Sequence, residues 1–122
     1  MPTLTRMDPR VDFFDQLDVD AAPVIVINKF TVDPADIAQF LAAWRVHAAY
    51  MKGCPGFISA QMHRGIGASG TFVNMAVWES TDLLKAAVSD SDFRKTTEGY
   101  PDSVESSPHL FTKQAAPGIC TG

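Results

Sequence analysis

In two stretches of this 122-residue chain, apolar side chains fall on both parities of what read as β-strands. Residues 23–31 (PVIVINKFT) place Val24 and Val26 on one side and Ile25 and Ile27 on the other. Residues 71–79 (TFVNMAVWE) set Phe72 and Ala76 against Val73, Met75 and Val77. Successive strand side chains point to opposite faces, so a sheet with one face in water alternates apolar and polar residues. These strands do not alternate, which predicts a sheet covered on both faces.

The segments between and after them fix the topology. Asp33-Pro34-Ala35-Asp36 supplies a helix start, with a capping carboxylate, a proline suited to the first helical position and an early acid that complements the helix dipole. Ile37, Phe40, Leu41, Trp44, Ala48 and Met51 then recur at helical spacing, and Gly53, Pro55 and Gly56 end the run. Residues 57–64 (FISAQMHR) read as a second strand, joined to residues 71–79 by a glycine-rich loop and so forming a hairpin. The Gly65-Ile66-Gly67 in that loop is not a phosphate cradle, because a strand rather than a helix follows it. Ser80 and Asp82 open a second helix carrying Leu83, Leu84, Ala87 and Val88, and residues 89–92 restart it around Phe93 and Arg94. Tyr100-Pro101 stops it, and residues 109–115 (HLFTKQA) are expected as the last strand.

The order is β-α-β-β-α-β over residues 23–116, an α+β, ferredoxin-like domain with an antiparallel sheet and both helices on one face. Two helices leave the other face bare. Four apolar strands would expose more than the roughly 300–600 Å² of contiguous apolar surface seen on monomers. A second copy packing sheet to sheet is the expected cover, with docking of the N-terminal segment as the lesser alternative.

That N-terminal segment, residues 1–22, reads as an acidic arm. It holds Arg6 and Arg10 against Asp8, Asp12, Asp15, Asp18 and Asp20, and so carries −3 of the chain's net −4. Phe13, Phe14 and Leu17 suit one helical turn through which an arm outside the core would dock, with a partly disordered tail as the equal alternative. Residues 117–122 are a short tail. The net negative charge argues against a nucleic-acid or anionic-membrane partner, and no apolar run approaches the roughly 20 residues of a membrane span. No apolar segment follows residues 1–6, so no leader peptide is expected. Cys54 and Cys120 lack CxxC spacing, which predicts free thiols and a cytoplasmic setting.

Few residues can carry chemistry. His47, His63 and His109 form no spacing that would bind a metal, and no Ser–His–acid set stands out. His47, three residues after Trp44, reads as a packing or rim histidine, while His63 and His109, near strand ends, read as candidates for a pocket rim. The informative residues are polar ones inside buried strands. Asn28 interrupts the first run, Asn74 interrupts the third strand, and Trp78 follows at four residues. Positions 74, 76 and 78 share one face, so an amide, a small Ala76 and an indole line one concavity. A buried amide without a partner costs about 1–3 kcal/mol, so each asparagine either pins the backbone register or meets a ligand.

The run Phe72-Val73-Asn74-Met75-Ala76-Val77-Trp78-Glu79-Ser80, the turn Gly53-Cys54-Pro55-Gly56-Phe57 and the order of elements resemble the antibiotic biosynthesis monooxygenase family. The resemblance spans about residues 23–116. It implies a dimeric α/β barrel that oxidises a phenolic or polycyclic aromatic substrate to a quinone with O₂, using no metal, flavin or nicotinamide. Asn74 and Trp78 match the Asn and Trp, four residues apart, of the phenol-oxidising members, which implies that they are catalytic. Asn28, Phe30, Trp44, Leu84, His63 and His109 are expected around the substrate, with a base drawn from His47, His63 or His109, or none where the substrate is acidic enough. Leu84 departs from the family pattern, which has a tyrosine there. Asn28 resembles the Asn that heme-degrading relatives carry near the end of the first strand, but their Trp and iron-binding His fall where this chain has Ala87 and Thr97, which disfavours that chemistry. The alternatives are a non-catalytic dimer that binds a small molecule in the same pocket, or a heme-handling member of the superfamily.

Overall fold

Side-chain caps start the helices where the sequence places them. Asp33 accepts from the Ala35 amide at 3.0 Å and opens a short 3₁₀ turn, Pro34–Asp36, that runs into helix α2, Ile37–Lys52. Ser80 caps α3, Thr81–Ser89, by accepting from the Leu83 amide at 3.2 Å, and Asp90 caps α4, Ser91–Thr97, through the Asp92 amide. In the arm, Asp12 caps a single turn, α1, Phe13–Gln16. The computed structural model describes residues 2–122.

The strands are β1, Thr3–Leu4; β2, Val24–Thr31; β3, Phe57–Arg64; β4, Thr71–Trp78; and β5, Glu105–Phe111. They form one sheet in the order β1-β5-β2-β4-β3. The four longer strands pair antiparallel, and their order is that of a ferredoxin-like split βαβ domain. The short β1 adds a parallel edge, with the Thr3 amide donating to Val104 and the Thr5 amide to Ser106, each at 2.8 Å. This fifth strand comes from the arm and is additional to the four expected.

The last strand also begins four residues earlier than expected, because Pro108 sits inside it. Leu110 turns its amide outward, to the Gln16 side chain at 2.9 Å, and by the two-residue period Pro108 turns its nitrogen the same way. No ladder bond to β2 is therefore lost, and proline is tolerated on this side of the strand.

Register fixes the faces. Val24, Val26, Asn28 and Phe30 of β2 lie opposite Trp78, Ala76, Asn74 and Phe72 of β4, and this inner face packs on the helices. An irregularity between Phe57 and Ser59 of β3 returns Phe57 to the inner face opposite Trp78. Two apolar clusters fill the layer. One gathers Leu17, Val24, Trp78, Leu84 and Leu110, and the other Phe30, Phe40, Phe72, Tyr100 and Val104. The arm therefore does not lie outside the core as expected, because Leu17 is buried in the first cluster.

Gly56 makes the turn into β3 possible. Its φ of +91° favours glycine, and a Cβ there would stand 2.6 Å from the Leu83 Cβ.

Candidate active site

Between the inner face and the helices the packing leaves a cavity of about 300 Å³. That is the lower end of the range, about 300–1,000 Å³, for sites that hold small molecules. The sheet supplies its floor: Val26, Asn28 and Phe30 from β2, Asn74, Ala76 and Trp78 from β4, and Ala60 from β3. Helix α2 contributes Trp44, His47, Ala48 and Met51, one stripe at spacings of three and four residues. Leu84 and Val88 of α3 and Phe93, Arg94 and Thr97 of α4 form the opposite wall. The arm closes the remaining side with Pro2, Leu4, Phe13 and Phe14.

Six of the residues singled out from the sequence therefore meet in one place: Asn28, Phe30, Trp44, Asn74, Trp78 and Leu84. His63 and His109 do not. Both lie at outer-face positions, His63 opposite Val73 and His109 opposite Ile27, so the two-residue period turns them away from the cavity. The His63 ring is bonded to the Val73 carbonyl at 3.2 Å, and His109 Nε2 lies 3.3 Å from the Gln16 amide nitrogen. His47, read from the sequence as packing or rim, is the histidine that lines the cavity. Its place in the Trp44–Met51 stripe was the available signal.

The polar groups on the floor are not equivalent. Asn28 and Asn74 are directly opposed across β2 and β4. Ser106, 3% exposed, donates to Asn28 Oδ1 at 2.9 Å, which leaves the Asn28 NH₂ as its free end. Asn74 Oδ1 is buried and has no hydrogen-bond partner among the described residues. Trp78 is 1% exposed and held edge-on by Phe57, ring centres 5.6 Å apart.

His47 is held more closely. Thr96 donates its only hydroxyl proton to the Phe93 carbonyl at 2.7 Å. Its oxygen must then accept from His47 Nδ1–H, 2.8 Å away. Phe93 and Tyr100 meet the imidazole edge-on, at 5.0 and 6.2 Å between ring centres. Burial pushes the imidazole pKa down to about 4, so the ring is neutral near pH 7. Among the described residues no three His, Cys, Asp or Glu side chains cluster as a metal site would need, and no helix is long and apolar enough to cross a membrane.

A hydrophobic chamber with a few convergent amides and an indole on a ferredoxin-like sheet can desolvate an aromatic ring and bind its oxygen atoms. The sequence profile described as antibiotic biosynthesis monooxygenase matches residues 23–99. The chain belongs to the antibiotic biosynthesis monooxygenase family. Within this family, deoxynogalonate monooxygenase of Streptomyces nogalater is 32% identical over 107 residues, covering 85% of this chain and 90% of that protein. The structure of SnoaB, a cofactor-independent oxygenase from the same organism, matches with a TM-score of 0.71 at 28% identity, over 80% of this chain and 99% of its own. A conserved protein from Methanosarcina mazei Go1 is only 14% identical yet gives a TM-score of 0.66 over 76% of this chain and 94% of its own, so the fold outlasts the sequence. The stretch shared with the antibiotic biosynthesis monooxygenases holds Asn28, His47, Asn74, Trp78 and Leu84, whereas the arm residues that close the cavity lie outside it.

Proposed function

We propose that this protein is a cofactor-independent monooxygenase that converts a phenolic polycyclic substrate, of the hydroxyanthrone type, to a quinone with O₂. The observation that carries this reading is the convergence of Asn28, Asn74 and Trp78 on one apolar cavity. The two Streptomyces relatives, named as a monooxygenase and a cofactor-independent oxygenase, support it.

The reaction replaces the two hydrogens of a ring CH₂ by a carbonyl: the CH₂ compound and O₂ give the C=O compound and water. Loss of one proton leaves a delocalised anion whose charge sits largely on oxygen. That anion passes an electron to O₂, the two radicals combine to a peroxide, and loss of water leaves the quinone. The protein's part is to exclude water, hold the ring flat and favour the anion. In a dry site a preorganised N–H donor aimed at an oxyanion is worth about 10²–10³ in kcat. The Asn28 NH₂, turned free by Ser106, and the indole N–H of Trp78 are the donors we assign, with the Asn74 amide beside them. Phe30, Trp44 and Leu84 are the ring's walls. Leu84 contributes no polar contact, so orientation falls to the sheet floor. In this reading two copies pack through the outer sheet faces.

Oxygen uptake with 1,8-dihydroxyanthrone and a panel of substituted anthrones tests the proposal, with formation of the matching anthraquinone as the expected product. Trp78→Phe keeps an aromatic wall and removes the N–H, and should lower kcat with little change in ligand affinity. Tight binding of the corresponding quinones without any oxygen consumption would instead make the protein a non-catalytic small-molecule binder.

A further inference from the structure

The chemistry proposed above needs a proton acceptor, and the two histidines on the outer face cannot supply it. We propose that His47 Nε2 is that acceptor, held in the basic tautomer by Thr96. This rests on the monooxygenase reading and adds to it a residue and a role.

The tautomer follows from proton counting. A threonine hydroxyl has one proton, and Thr96 gives it to the Phe93 carbonyl at 2.7 Å. Nδ1 of His47, 2.8 Å from the same oxygen, must therefore carry the ring's proton. A neutral imidazole has only one N–H, so Nε2 holds a lone pair. No hydrogen bond engages Nε2 among the described residues, and His47 lines the cavity that Asn28 and Asn74 line from the floor. The edge-on rings of Phe93 and Tyr100 keep the imidazole from rotating out of this arrangement.

The surroundings determine what kind of base this is. From the sheet, the polar groups toward the cavity are Asn28, Asn74, Ser106 and the Trp78 indole, all uncharged. From the helices and the segment after α4 they come from Arg94, an exposed residue at the rim, Thr97 and Tyr100, whose phenol burial holds well above its ordinary range. No carboxylate lines the cavity to stabilise an imidazolium. Burial already depresses the ring's pKa to about 4, so His47 is a weak base while the cavity is empty. It gains basicity when the anion it creates stays beside it, because the pair offsets the cost of burying each charge. Proton transfer is thereby tied to a bound, ionisable substrate.

The step balances. A C–H bond of the anthrone methylene breaks, its electron pair stays on the ring system, and the proton moves to Nε2. The anion then reduces O₂ by one electron and recombines with it. The peroxide anion takes the proton back from Nε2, and water leaves with the second methylene hydrogen. His47 ends as it began.

The test uses the full chain, 1,8-dihydroxyanthrone as substrate and 1,8-dihydroxyanthraquinone as a non-oxidisable ligand. His47→Asn retains a donor near Thr96 and lacks Nε2, whereas His47→Gln offers an acceptor that cannot take a proton. Both should bind the anthraquinone within about threefold of the parent and lose about 10²-fold or more in kcat, the range for a lost general base. Imidazole added to His47→Ala should restore part of the rate. Thr96→Val frees the tautomer and should lower kcat while affinity holds, which keeps the test decisive if a His47 variant folds poorly. Parent enzyme that consumes O₂ while His47→Asn and Thr96→Val match its kcat would overturn the assignment and leave the monooxygenase reading standing. Parent enzyme that consumes no O₂ with any anthrone would overturn that reading, and this one with it.

Discussion

Asn28 and Asn74 face one another directly across β2 and β4, two amides side by side on the buried floor of an otherwise apolar cavity. Only one is satisfied by the protein. Ser106 engages the Asn28 carbonyl, while the Asn74 carbonyl is buried without a partner among the described residues. An unpaired buried acceptor costs about 1–3 kcal/mol, so stability gives no reason to keep Asn74.

The two asparagines should therefore respond oppositely to the same substitution. Asn74→Leu removes an unsatisfied carbonyl and fills apolar space, so its Tm should equal or exceed the parent's while turnover falls about 10²-fold. Asn28→Leu strands the buried Ser106 hydroxyl and should lose about 1–3 kcal/mol as well as turnover. Thermal melts and oxygen uptake on the same preparations check both. Asn74→Leu with a lowered Tm and the parent's activity would make the amide a structural pin.

Stability should also depend on pH through His47. Its folded pKa, about 4, lies below the ordinary 6.5, so between those values the unfolded chain binds the proton first. The folded state keeps its full advantage above pH 6.5 and loses it as pH falls towards 4, by about 3 kcal/mol in all. Urea unfolding at pH 7.0 and 4.5 should show a larger acid loss for the parent than for His47→Asn. Equal losses would mean that the imidazole is not held neutral by burial.

How far the sequence reveals this arrangement differs from residue to residue. Asp33 caps the 3₁₀ turn that leads into α2 and Ser80 caps α3, as their side chains announce, and the parity of residues 24–30 and 72–78 places Asn28, Asn74 and Trp78 on one face. Pro108 hides the start of the last strand at Glu105, because proline's cost depends on which strand edge its nitrogen meets, and that is a tertiary fact. A pocket-rim role for His63 and His109 fails for a related reason: nearness to a strand end says nothing of the face, whereas their pairing with Val73 and Ile27 does. His47 needed Thr96, forty-nine positions away, before its free nitrogen could be identified.

The outer face should drive self-association. Ile25, Ile27, Val73 and Val77 lie there half-buried around Met75, which is 43% exposed. Sedimentation at micromolar concentration should give about twice the 13.2 kDa chain mass. Met75→Glu sets a charge in the middle of that face and should shift the protein toward monomer. A parent protein that sediments at the single-chain mass would show that the face is stable in water.

Gln16 should govern how the arm closes the cavity. Its side-chain amide accepts from the Leu110 N–H at 2.9 Å and donates to the Leu110 carbonyl at 3.1 Å, so it pairs with β5 as a strand peptide would. This locks α1 and the adjoining Phe13 and Phe14 at the cavity's edge. Two such bonds are worth about 1–3 kcal/mol together, enough to set local opening and too little to unfold the domain. Gln16→Ala should speed hydrogen exchange at the Leu110 amide and through residues 2–20 while exchange in β2 and β4 stays unchanged. It should weaken binding of an aromatic ligand several-fold and leave kcat nearly constant, because the floor of the site is untouched. Gln16→Glu keeps the acceptor for the Leu110 amide but turns a second oxygen toward its carbonyl, so it should loosen the arm to a similar degree. Unchanged exchange and affinity in both variants would mean that the arm is held by its other contacts, among them Leu17 in the core, β1 pairing and the Lys85–Asp18 ion pair.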